Sequence, residues 1–181
     1  MKAQPAIDAV ESIIKKLKPT KSSLDKGRNE EGFAIILPSP AKETFTQKTA
    51  HNLSTVKDII FVCTRYEGID YRFEQYMKKK YKKNFQKISI GQFITLGGET
   101  PAMIMIEAIS RLIPWVIKEE ASRQDESYNI TKNMNNLEYP QYTKPEVVLW
   151  MKVPKVLISG HHKNINERRE KKTIKIKKTK K

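Results

Sequence analysis

Two short apolar runs constrain this chain more than anything else in it. Phe33-Ala34-Ile35-Ile36-Leu37 and Ile59-Ile60-Phe61-Val62-Cys63 are apolar at every position. Five apolar residues without polar alternation predict a strand buried on both faces, as in a parallel sheet covered by helices. Phe93-Ile94-Thr95-Leu96, ending at Gly97-Gly98, is a third strand candidate, and residues 153–160 supply one more. Helical patterns separate these runs. Ile7, Val10, Ile13, Ile14 and Leu17 recur at helical spacing. Residues 44–53 read as a second helix, and residues 73–81 as a helix or a long loop. Thr100-Pro101 opens the clearest helix, with Thr100 as N-cap and Pro101 at the first helical position. It is expected to reach Ile113, where Pro114 disrupts it. Strands alternating with helices predict an α/β fold with a mainly parallel sheet. Ligands in such sheets bind beyond the carboxyl ends of the strands, where loops 38–41, 64–70 and 97–100 gather.

The rest of the chain is polar and basic. Lys+Arg number 35 against 20 Asp+Glu, a formal net charge of +15 in 181 residues. Such an excess predicts an anionic partner. Residues 163–181 hold ten Lys/Arg against two Glu, and residues 171–181 read as a disordered basic tail. That tail suits either RNA contact or simple solubilisation. Lys78-Lys79-Lys80-Tyr81-Lys82-Lys83 reads as a phosphate-contacting, base-stacking cluster or as a solvated helix face. The single Cys63 excludes a disulfide framework and a cysteine zinc site within one chain, and reads as an inert buried strand residue. Three His without H-E-x-x-H give no metal site. Glu107, Arg111 and Pro114 interrupt the longest apolar stretch, so no membrane partner is expected and a cytoplasmic protein is. Neither G-x-G-x-x-G after a strand, nor a P-loop, nor G-x-S-x-G is present, which argues against dinucleotide, triphosphate and serine-hydrolase sites. Gly68, Gly91, Gly97 and Gly98 sit in or beside the strand-end loops. They read as plain turn residues one by one and as a ligand pocket together.

Longer motifs carry a resemblance. The segment Phe61-Val62-Cys63-Thr64-Arg65-Tyr66-Glu67-Gly68-Ile69-Asp70 resembles the C-G-R-Y-E-G-I/V-D segment of the bacterial tRNA (guanine-N1)-methyltransferases, the TrmD family. Residues 88–103, S-I-G-Q-F-I-T-L-G-G-E-T-P-A at their centre, are similar to that family's S-I-G-D-Y-V-L-S-G-G-E-L-P-A. Ser110-Arg111-Leu112-Ile113-Pro114 follows, and Tyr139-Pro140-Gln141-Tyr142-Thr143-Lys144-Pro145-Glu146-Val147 resembles its P-H-Y-T-R-P-E-V. The resemblance runs from Met1 to about Arg169. It starts inside the family's chain, after a glycine-rich segment, and leaves out the family's first strand and first helix.

That resemblance implies a SPOUT-type parallel-sheet domain with a trefoil knot, plus a shortened C-terminal helical part. It implies S-adenosylmethionine as cofactor, guanine 37 of tRNA as substrate, and a homodimer. The implied organisation is a methyltransferase domain over 1–118, a flexible linker over 119–136, a partial tRNA-binding domain over 137–170 and the basic tail over 171–181. The donor site carries over onto Leu37, Pro38, Ser39 and Pro40, and onto Thr64, Arg65, Tyr66, Glu67 and Gly68. It continues through Ser89, Ile90, Gly91, Gln92, Phe93, Ile94 and Thr95, then Gly97, Gly98 and Pro101. Thr64 stands where the family has Gly, and Gln92 where it has an acid. Tyr66 reads equally as pocket wall or core packing. Catalysis falls to Arg111, facing the guanine O6, and to a carboxylate base. Glu126 stands at the position of the family's catalytic Asp, with Asp125 beside it. Without the resemblance, Arg111 would read as an ion-pair partner of Glu107, and the two acids as linker polarity. A truncated RNA-binding protein that keeps the donor pocket without turnover is the alternative; methyl transfer to unmodified tRNA separates the two.

Overall fold

A computed structural model describes residues 1–17, 32–117, 126–129 and 136–176. They fall into two compact units, Met1–Lys118 and Glu119–Lys181. In the first, β1 (Phe33–Pro38) lies between β2 (Asp58–Phe61) and β3 (Phe85–Ile88) and runs parallel to both. Helices α1 (Ala3–Lys16) and α3 (Tyr71–Tyr81) pair on one face, and α2 (Gln47–Ser54) and α4 (Glu99–Ser110) on the other. The register explains the unbroken apolar run. Ile35 pairs with Ile60 on one side and Phe85 on the other, and all three enter a cluster with Val10, Phe73 and Met77. Ala34 and Ile36 point the opposite way, to Ala50, Leu53, Met105 and Ile109. A central strand loses water from both faces, so it shows no alternation. Ile35 and Ile36 are fully buried, each contributing about 1.5–3 kcal/mol of apolar transfer.

Two strand expectations fail. Residues 93–96 form no strand; they loop over the sheet's end, with Phe93, Ile94 and Leu96 exposed. The third strand is instead Phe85-Gln86-Lys87-Ile88, whose polar middle hides the signal. An edge strand needs pairing on one side only, so it tolerates Gln86 and Lys87. The Lys87 ammonium bonds Glu74 of α3 at 3.1 Å, and Lys78 bonds the same carboxylate at 2.6 Å. Burial pushes the Glu74 carboxyl up, but the two lysine hydrogen bonds prevail and hold it below its ordinary value. The run at 153–160 is helical rather than extended. It forms α5 (Lys155–Ile158), led in by Pro154, because four apolar residues carry no period that separates strand from helix. Helix α4 starts earlier than its Thr-Pro signal, with Gly98 as N-cap. Pro101 then sits in the first turn, where its missing N–H would have no partner anyway. The helix ends at Ser110, short of Ile113.

The second unit pairs β4 (Asn136–Leu137) with β7 (Ile174–Lys175), and β5 (Val147–Val148) with β6 (Met151–Lys152), both antiparallel. Helix α6 (His162–Lys172) follows α5. Disorder is therefore the wrong expectation for residues 171–176. The Thr173 N–H donates to the Arg169 carbonyl at 3.0 Å to close the helix, and β7 then joins β4. Ile174 and Ile176 alternate with lysines, which is the period of a strand. Residues 177–181 of the expected tail lie outside the described residues, as do 119–125 and 130–135 of the expected linker.

Asp70 caps α3. Its carboxylate accepts the Arg72 N–H at 2.9 Å and the Arg72 guanidinium, and these bonds hold its carboxyl down at about 2. The unfolded value is about 3.9. The stabilisation is therefore complete above pH ~4 and lost as pH falls toward ~2. Asp70→Asn keeps the cap and should flatten this acid limb in urea midpoints measured against pH. An unchanged limb would show that the pair adds nothing to folding.

Candidate active site

A cleft of about 280 Å³ opens where the chain leaves the carboxyl ends of the strands. Pro38, Ser39 and Pro40 come from the end of β1 and the loop after it, and Thr64, Tyr66, Glu67 and Gly68 from the loop after β2. The segment after β3 supplies Ser89, Ile90 and residues 93–98, and α4 supplies Pro101. Backbone bonds lock these loops together. The Ser39 N–H donates to the Ile88 carbonyl at 3.1 Å; the Ser89 N–H reaches the Glu43 carbonyl at 2.9 Å. The Ser89 hydroxyl donates to the Gly91 carbonyl at 2.7 Å, and the Thr95 hydroxyl to the Gly97 carbonyl at 2.9 Å. The Gly98 N–H then donates to the Thr64 carbonyl at 2.8 Å, joining the two longest loops. A Cβ on Gly98 would stand 3.0 Å from the Cys63 Cα and the Thr64 nitrogen. Only a glycine lets α4 start this close to the end of β2.

The cleft differs in charge from the rest of the chain. Among the described residues, no Lys or Arg lines it, whereas Glu67 does. Arg65, in the loop after β2, does not line the cleft and pairs with Glu99 at 2.7 Å. The Arg65 hydrogen bond holds the Glu99 carboxyl below its usual range. Cys63 is half-buried; burial, and then the Glu99 charge, push its thiol up, so it makes a poor nucleophile. The cleft suits a ligand that is neutral or cationic and has an apolar body, held by Ile90, Phe93 and Ile94. A phosphate-rich ligand would meet no cation among the described lining residues. Among the described residues, no three His, Cys, Asp or Glu side chains converge to hold a metal ion.

Residues 1–181 match the family model described as tRNA (Guanine-1)-methyltransferase TrmD. The chain belongs to this family. A tRNA (guanine-N(1)-)-methyltransferase of Clostridium perfringens is 40% identical over 176 residues, covering 97% of this chain and 64% of the relative. Its namesake in Geobacillus kaustophilus is 38% identical over 174 residues, 96% of this chain and 62% of the relative. In Lachnoclostridium phytofermentans the figures are 42% over 161 residues, 88% and 55%. The chain thus spans less than two thirds of the length of these relatives.

Most of the donor-site residues expected from the TrmD resemblance surround the cleft. Leu37, Arg65, Gly91 and Gln92 do not line it. The Leu37 side chain is buried in the sheet core, Arg65 turns to Glu99, and Gly91 lies under the Phe93 ring. Ile88 and Leu96 do line it, and both sit inside the glycine-rich motif that located their neighbours. Tyr66 is 96% exposed at φ 57°, so it belongs to the wall rather than the core. Arg111, the catalytic candidate in the same unit, does not line the cleft. Arg111 caps the far end of α4, its N–H donating to the Glu107 carbonyl at 3.2 Å. At 1.5 Å per residue it stands about 20 Å from Gly98. Glu126 belongs to the second unit, at the head of a turn held by the Ser127 hydroxyl and the Tyr128 N–H. Asp125 lies outside the described residues. The lysine cluster sits at the opposite end of the sheet. Its Tyr81 packs edge-on against Phe33, ring centroids 5.8 Å apart, and Lys80 bonds Glu11 at 2.6 Å, so that ring stacks on protein rather than on a base.

Proposed function

We propose that this chain, as a homodimer, transfers a methyl group from S-adenosylmethionine to N1 of guanine 37 in tRNA. The observation that carries the reading is a cleft at the strand ends with no Lys or Arg among its described lining residues, in a strongly basic member of the TrmD family. The donor brings a positive sulfonium centre and an electrophilic methyl group. Glu67 attracts that positive charge, Ile90 and Phe93 pack on the adenine, and loop backbone groups meet its edge. Guanine N1 carries a proton that must leave as the methyl arrives. Glu126, with Asp125 as its substitute, accepts that proton. Arg111 stays charged throughout and stabilises the negative charge growing on O6. The knotted SPOUT topology and a cytoplasmic setting belong to the same reading. Among the described residues no helix is long and apolar enough to cross a membrane.

The dimer rests on two observations. Along one chain Arg111 stands at the far end of α4 from the cleft, which supports a site that two copies complete. Helix α4 and its flanks also expose Met103, Ile104, Ile106 and Trp115, the last 94% accessible; apolar patches of this kind mark interfaces. Radiolabelled methyl transfer to unmodified tRNA tests the activity. Donor binding without transfer would favour the inactive RNA-binding protein. Mixing Arg111→Ala with Glu126→Gln protein should restore activity, because a heterodimer rebuilds one site when the two roles come from different chains. No recovery, together with a monomeric mass by light scattering, would remove the dimer.

A further inference from the structure

The second unit holds a cavity that the reaction above does not use. It measures about 140 Å³. Tyr139 and Tyr142 form one wall, and Arg168, Arg169 and Lys172 of α6 the other, over Leu157. Residues 168, 169 and 172 are three and four apart, so they share a helix face. Glu167 and Glu170 lie on the same helix but do not line the cavity. The Arg169 guanidinium lies over the Tyr139 ring, 4.9 Å from its centroid, which fixes its plane. Yet the Arg169 Nε is buried without a hydrogen-bond partner. A buried donor of this kind is stabilised only if an acceptor completes it.

We propose that this cavity is an RNA subsite, with a backbone phosphate on Arg169, Arg168 and Lys172 and the adjoining base on Tyr142. Three cations, with no carboxylate among the described lining residues, select an anion, and a fixed planar guanidinium matches phosphate oxygens. The volume is well below the roughly 300–1,000 Å³ of sites that enclose a small molecule. A whole nucleotide does not fit inside, whereas a phosphate does. Tyr142 is 47% exposed, so its ring offers a stacking surface outside. An anchored phosphate beside an open aromatic ring suits a continuous strand better than a free nucleotide. The inference rests on the tRNA reading and adds which residues of the second unit grip the strand.

Fluorescence anisotropy with labelled tRNA transcript, titrated between about 50 and 200 mM salt, tests it on the full chain. Lys172 is exposed in the last turn of α6, so Lys172→Gln should fold normally. It should weaken binding and lower the slope of log affinity against log salt by about 0.7, one single-strand phosphate contact. Tyr142→Ala should weaken binding roughly five- to a hundredfold with the slope unchanged. Donor affinity should stay at its wild-type value in both. Wild-type affinity and slope in both variants would overturn the subsite while leaving the tRNA reading intact. If the unaltered chain binds no tRNA, that reading falls and the subsite falls with it.

Discussion

Glu126→Gln is expected to cut methyl transfer by roughly 10²–10⁴-fold, the usual loss of a positioned base, with donor binding retained. Glutamine keeps the shape and hydrogen bonding of the side chain and removes only its basicity. The turn that carries it should survive, because its bonds come from neighbours. Ser127 accepts the Glu138 N–H at 2.9 Å, and the Tyr128 N–H donates to the Asn136 carbonyl at 2.9 Å. Asp125→Asn should be mild. Higher pH should partly rescue Glu126→Gln, since more guanine has then lost its N1 proton to solvent. Single-turnover rates on unmodified tRNA across pH check this. A dead Asp125 variant beside an active Glu126 variant would reverse the assignment, and two active variants would place the base elsewhere.

Gly98→Val is expected to abolish donor binding and to lower stability by about 1–3 kcal/mol, the scale of overpacking a tight site. The added carbons would meet Cys63 and Thr64 backbone at 3.0 Å, and backbone at the end of a core strand cannot swing aside. The Gly98–Thr64 bond that closes the cleft would be pushed apart. Gly97→Ala makes the contrast. Its Cβ would first meet the tip of the Glu99 side chain, which can leave Arg65 and move into water. That change should weaken donor binding modestly and leave the urea midpoint near wild type. Neither glycine has a left-handed backbone, so the effect comes from space alone. Calorimetric titration of the donor alongside urea unfolding separates the cases. Wild-type affinity and midpoint in Gly98→Val would mean that this close approach is not needed.

Part of this protein was legible in its amino-acid order. The strands at Phe33–Pro38 and Asp58–Phe61 announce themselves because burial on both faces demands apolar residues at every position. Helix α1 shows its period, and α4 its presence though not its N-cap, for equally local reasons. The motifs around Thr64 and Gly97 pointed to a pocket at the strand ends, and the loops that carry them do converge on a cleft there. Other features depend on partners distant in the chain. Strand β3 contains Gln86 and Lys87, and only β1 beside it and Glu74 above it make those residues acceptable there. Phe93, Ile94 and Leu96 are as apolar as a core strand, yet they sit at the cleft with their side chains largely in water. Apolarity records the need for a partner, not whether that partner is the chain's own core. The same limit hid the spacing of Gly98 from Thr64, the length of α4 between the cleft and Arg111, and the unsatisfied Arg169 Nε. A residue's neighbours along the chain set its propensity and period, but the contacts that close a site are made across the fold, where sequence distance carries no information about approach.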